Sequence, residues 1–176
     1  MATQPSSEQL ASAIGVEAGS ELREAQKKIQ HCLNQLTDDQ IWWRPDETQN
    51  SIGNLILHLC GNLRQWIISG LGGATDQRNR PREFAQRDPI AKADLLGQLE
   101  AVVSESINVL STFPAAQWLR VRRIQGFEVT GLAAAFNTVP HFRGHTQEII
   151  FRTRLLLGHK YEISWKPGST EQGAAE

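Results

Sequence analysis

Three histidines in this chain carry the spacing and surroundings of metal-ion chemistry. Two stand four residues apart in Asn137-Thr-Val-Pro-His141-Phe-Arg-Gly-His145-Thr-Gln-Glu148-Ile-Ile-Phe-Arg152. The third lies in Ser51-Ile-Gly-Asn54-Leu-Ile-Leu-His58-Leu-Cys-Gly-Asn62-Leu-Arg-Gln65-Trp66. At about 100° of rotation per helical residue, Asn54, His58, Asn62 and Gln65 project within roughly 60° of one another. On the same count Asn137, His141, His145, Glu148 and Arg152 form a second row. The other bearings of both stretches are mostly Leu, Ile, Val, Phe and Ala. A helix that is apolar on most sides is a buried helix, and a buried imidazole needs a partner. One divalent cation would satisfy all three rings.

Imidazoles four residues apart share a helix face and can chelate one ion. On an exposed face such a pair is usually two solvated rings, and a lone buried His58 is usually a hydrogen-bonded core residue. The apolar background of both helices is what favours metal. If the two rows meet, three neutral imidazoles form the ligand set of an open zinc site, with a position left for water or a substrate atom. Because the rings must be neutral to bind, occupancy is expected to fall below about pH 6. Glu148 is placed to orient a ring or take a proton, or else to pair with Arg152 as a buried ion pair. Asn62, Gln65 and Arg152 are placed to contact substrate or to hydrogen-bond the facing row.

Other candidates carry weaker signals. His31 and His159 lie near helix ends, where a cationic ring is favoured by the helix dipole. Cys60 points away from His58 and reads as core. Trp42 and Trp43 suit packing over a helix junction, or a pocket mouth. Arg78, Arg80, Arg82 and Arg87 could meet an anion, but they read more simply as a solvated loop.

The elements that must position these groups are helices. Leu10, Ile14, Ala18, Leu22, Ala25, Ile29, Leu33 and Leu36 follow the helical period from about Ser7, with Gly15 and Gly19 expected to weaken or bend the first half. Residues 37–50 read as an ordered connection with aromatic anchors. Ser51 caps a second helix running to about Leu71. A polar loop of about residues 74–87 follows, and Asp88-Pro89 has the cap-then-proline pattern of a third helix. Residues 118–130 suit either a short β-hairpin or an irregular extended link. Thr130 caps a last helix of about residues 131–157, ended by Gly158 and kinked by Pro140. The expected architecture is all-α: a four-helix bundle with long connecting loops.

With 176 residues the chain suits a single domain, expected over residues 10–166, with disordered ends at 1–9 and 167–176. A net charge of −1 gives no global field for nucleic acid or an anionic membrane, and neither partner is expected. The apolar runs are too short to span a bilayer. Residues 1–9 lack the features of a secretory signal, and two cysteines do not make a disulfide framework, so a cytoplasmic protein is expected.

The residues Asn50-Ser-Ile-Gly-Asn-Leu-Ile-Leu-His58-Leu-Cys-Gly-Asn-Leu63 and His141-x-x-x-His145-x-x-Glu148-Ile149 resemble the DinB-like (YfiT-like) four-helix bundle family. The likeness covers most of the chain, from the first helix to about Leu157. It implies that His58, His141 and His145 ligate a divalent ion, zinc or nickel most often, and that homodimers are frequent. Some relatives are thiol transferases in which the metal lowers the pKa of a low-molecular-weight thiol that attacks a small electrophile. Where such members have Gly-Gln-Ile after the last ligand's turn, this chain has Thr146-Gln147-Glu148-Ile149, which adds a carboxylate near the ion. The leading expectation is therefore a metal-dependent, thiol-dependent transferase with Glu148 assisting. The alternatives are a non-catalytic bundle stabilised by its ion and a stress-related small-molecule-binding protein.

Overall fold

The structure, a computed structural model, describes residues 4–163. The expected tail at 167–176 lies outside these residues. Of the stretch 1–9 expected to lack order, residues 7–9 form the first turn of helix α1 (Ser7–Gln35), where Ser6 and Gln9 exchange capping hydrogen bonds. Gly15 and Gly19 lie within an uninterrupted α1. They are buried against α5 (Lys92–Ser111), and a Cβ at Gly15 would stand 2.1 Å from the Leu110 carbonyl oxygen. The absent side chains let the two backbones approach.

Helix α2 (Asp38–Trp42) opens with a Thr37/Gln40 capping box. Trp42 packs on the bare backbone at Gly53, where a Cβ would lie 2.7 Å from its ring, and its indole N–H donates to the Ile90 carbonyl. It is the junction anchor, whereas Trp43 is exposed. Ser51 caps α3 (Ile52–Leu63) through a box with Asn54. The same rod continues as a π-helical turn, Arg64–Ser69, wider than the uninterrupted α-helix the periodicity suggests. Such turns insert extra backbone and are frequent at functional sites.

The Arg-rich stretch is only partly a loop. It contains α4 (Arg80–Ala85), capped by Asn79 with Pro81 in the first turn. Helix α5 starts at Lys92, not at Asp88-Pro89, and has no side-chain cap of its own. Its first amide instead donates to Asp38 of α2, while the Lys92 ammonium donates to the Leu36 carbonyl. The tertiary partner displaces the local cap.

Residues 118–130 hold a hairpin of β1 (Val121–Ile124) and β2 (Phe127–Thr130). Its two-residue turn has Gln125 at φ 52° and Gly126 at φ 86°, the left-handed pair that matches strand twist. Thr130 then caps α6 (Gly131–Leu157), which contains Pro140. The architecture is all-α apart from this hairpin. Helix α1 packs on α5 and α6, and α3 packs on the same two helices from the other side. No helix among the described residues is long and apolar enough to cross a membrane.

Helices α3 and α6 differ in a way the sequence pattern conceals. Between Ser51 and Cys60 only Leu57 is less than buried. Helix α6 buries Phe142 and Ile149 but exposes Phe136, Phe151 and Leu155. The expectation that both helices, apolar on most sides, are buried holds for most of α3 and fails for α6, which exposes these apolar side chains.

Candidate metal centre

The three histidine rings meet between α3 and α6. One ring nitrogen from each of His58, His141 and His145 lies within 4.8 Å of the others. The His58 and His141 Nε2 atoms are 3.0 Å apart, and the three rings stand nearly perpendicular to one another. His58 is buried, while His141 and His145 are half-buried. In a tetrahedral site with bonds of about 2.1 Å, ligand nitrogens stand about 3.4 Å apart. The cluster is close to that size.

Behind His58 lies a group that sequence reasoning missed. Glu83, on α4, is buried and its Oε2 is 3.0 Å from His58 Nδ1. Arg78 grips the same carboxylate, Nε to Oε1 at 2.7 Å and Nη2 to Oε2 at 2.9 Å, with Nη2 also 3.2 Å from His58 Nδ1. Burial alone would push the Glu83 carboxyl up, but hydrogen bonds and charge from Arg78 and His58 outweigh it and hold it below its ordinary value. Arg78 is thus not part of a solvated basic loop: its side chain is 2% exposed.

The α4 segment is pinned where it must be. The buried Asn54 amide donates to the carbonyls of Glu83 and Gln86. Gln65 accepts from Arg78 Nη1 and donates to Asp76. Gly61 makes the space, since a Cβ there would stand 1.9 Å from Glu83 Oε1. The available signal for Glu83 was local: Asn79, Pro81 and Glu83 form a helix-start pattern inside what reads as loop. That pattern says nothing of its partner.

A second carboxylate backs His145. Glu148 Oε2 is 2.9 Å from His145 Nδ1, and Glu148 Oε1 accepts from Arg152 Nε at 3.1 Å. Arg152 also donates to the Asn50 carbonyl just before α3. Glu148 thus contacts both His145 and Arg152, but the pair with Arg152, expected to be buried, is part-exposed. Of the other sequence candidates, Gln65 belongs to the Arg78 support, and Asn62 is half-buried outside these hydrogen bonds. Cys60 is buried core, with its thiol pushed up to about 12 by desolvation.

The donor chemistry fits a cation. The Glu83 carboxylate facing His58 Nδ1 favours a proton on that nitrogen, and a metal-binding ring would then turn its Nε2 lone pair to the cluster. The same holds for His145. Burial, then the neighbouring imidazoles His145 and His58, then Arg78 and Arg80, lower the His141 pKa to about 4, so this ring is neutral near pH 7. The 3.0 Å contact between the His58 and His141 Nε2 atoms is satisfied either by a proton on one of them or by a cation bound to both.

Comparisons with known proteins give fold and family but no chemistry. A solved structure described as the crystal structure of the conserved protein of locus from Enterococcus faecalis resembles the chain with a TM-score of 0.68. It is 19% identical, with 80% of this chain and 95% of that one covered, so the likeness concerns the fold alone. No curated protein matches the chain. A family model described as protein of unknown function (DUF1572) matches residues 12–168, and the chain belongs to that family.

Proposed function

We propose that His58, His141 and His145 hold one divalent cation and that the protein is a metal-dependent, thiol-dependent transferase acting on a small electrophile. The carrying observation is the convergence of three imidazoles, two of them held through Nδ1 by Glu83 and Glu148. Carboxylates in that position raise ligand basicity and fix ring direction. The resemblance to DinB-like bundles supports zinc or nickel and a thiol co-substrate. The reading takes residues 10–166 as one domain, cytoplasmic and homodimeric.

A bound ion would supply Lewis acidity toward a thiol at its open position. The chain's own groups do the rest. Glu83 and Glu148 keep the Nδ1 protons on His58 and His145. Phe84, 4.9 Å from the His58 ring centroid to centroid, walls off one side of the cluster. Glu148, with both oxygens engaged, positions His145 in preference to moving a proton.

Elemental analysis of purified protein is expected to give one equivalent of metal, lost in His141→Ala. A full equivalent retained in that variant overturns the ligand set. Conjugation of a thiol to 1-chloro-2,4-dinitrobenzene is expected to require the metal. A second reading, a structural ion, is favoured by one observation: the cluster joins α3 to α6 across 83 residues of sequence. A chelator that lowers the melting temperature while no thiol conjugation is found supports it.

A further inference from the structure

The two carboxylates beside the cluster are each paired with an arginine. Glu83 is neutralised by Arg78 and Glu148 by Arg152. Neither carboxylate therefore offers net negative charge to a cation held by three neutral rings. Arg80 lies three and four residues before Glu83 and Phe84, on the same face of α4. Its guanidinium carbon stands 4.9 Å over the Phe84 ring, itself 4.9 Å from His58. These two contacts put the positive charge within about 10 Å of the His58 ring. Among the described residues Arg80 enters no ion pair. It is exposed.

We infer that the open side of the cluster takes an anionic ligand, a small carboxylate-bearing molecule, whose charge Arg80 reads from its seat on Phe84. The inference rests on the metal reading above and deepens it. A metal-coordinating atom satisfies the cation, and a carboxylate a few bonds away satisfies Arg80. Arg82 is the natural contrast. It is also exposed and without an ion pair among the described residues, but it lines a groove of about 610 Å³ with Arg64 and Gln86, behind Arg78 and Glu83 and without the three histidines.

The test uses full-length protein loaded with Co(II) and two probes of equal length, 3-mercaptopropionate and 3-mercapto-1-propanol. Binding is read from the sulfur-to-cobalt absorption bands. The acid is expected to bind about tenfold tighter, as for opposite charges roughly 12 Å apart near a protein surface. Arg80→Gln should bring the two probes within threefold while cobalt uptake stays at one equivalent, and Arg82→Gln should leave the tenfold preference intact. Equal affinities in the wild type, or an unchanged preference in Arg80→Gln, overturn the inference. Absence of any sulfur band in cobalt-loaded protein overturns it together with the thiol co-substrate, leaving the ion. Failure to take up cobalt removes the metal reading itself, and the inference with it.

Discussion

Two Arg–Glu–His relays serve the same cluster from different depths. Arg78, Glu83 and His58 have side chains 2%, 9% and 7% exposed, whereas Arg152, Glu148 and His145 are 20%, 35% and 26% exposed. The chemistry is repeated, but the energetics are not. A buried ion pair is costly to assemble and costlier to halve, because the survivor keeps its charge without water. A half-exposed pair loses little when one partner goes, since solvent replaces it. The inner relay should therefore act on folding and metal affinity together, and the outer one mainly on metal affinity.

The largest expected effect breaks or confirms that contrast directly. Glu83→Ala strands the buried Arg78 and is expected to cost about 3–5 kcal/mol in urea unfolding of metal-free protein. Glu148→Ala is expected to cost about 1 kcal/mol or less. Equal losses would show that depth does not separate the relays.

Next comes metal affinity, by competition against a chromophoric chelator. Loss of either carboxylate should weaken binding by about 10- to 100-fold, with Glu83→Ala at the upper end. A variant that folds normally and binds metal as wild type would remove that carboxylate from any orienting role.

The glycines sharpen the comparison at the level of packing. Gly61→Ala must displace the Glu83 carboxylate and is expected to destabilise by about 1–3 kcal/mol. Gly144→Ala, on exposed backbone of α6 with nothing within 4 Å of the added Cβ, should instead stabilise by about 0.5–1 kcal/mol. Thermal melts of the two variants should move in opposite directions.

The smallest effect concerns His141, the ring that neither relay supports. Its pKa in the folded protein, about 4, lies below the ordinary value of 6.5, so folding favours the neutral ring. The contribution is present in full above about pH 6.5 and is lost as pH falls through 4. Half-burial limits it to on the order of 1 kcal/mol. Melting of metal-free protein between pH 7 and 4 should show this loss, and His141→Gln should flatten it.

The local signals of the sequence located the elements well. Ser51 and Thr130 cap the helices that carry the histidines, Gly158 ends the last one, and the three rings come together. What failed were inferences that needed a partner. Asp88-Pro89 has the form of a helix start, yet Asp38 from another helix supplies the acceptor three residues later. Arg78 and Glu83 look like solvated charges because nothing in 74–87 records that Gly61 and Asn54 wait for them on α3. The apolar sides of α6 suggested burial, but hydrophobicity fixes what can be covered and not whether a neighbour covers it.

The spacing between Arg78 and Glu83 sets an unequal tolerance to changes in chain length. An added residue beside Gly73, whose φ of 79° meets no neighbouring atom, would be absorbed as slack. The same residue added between Asn79 and Glu83 would turn the carboxylate away from the His58 imidazole by about a quarter of a helical turn. A stretch with the composition of a tether thus has the length specification of a machined part.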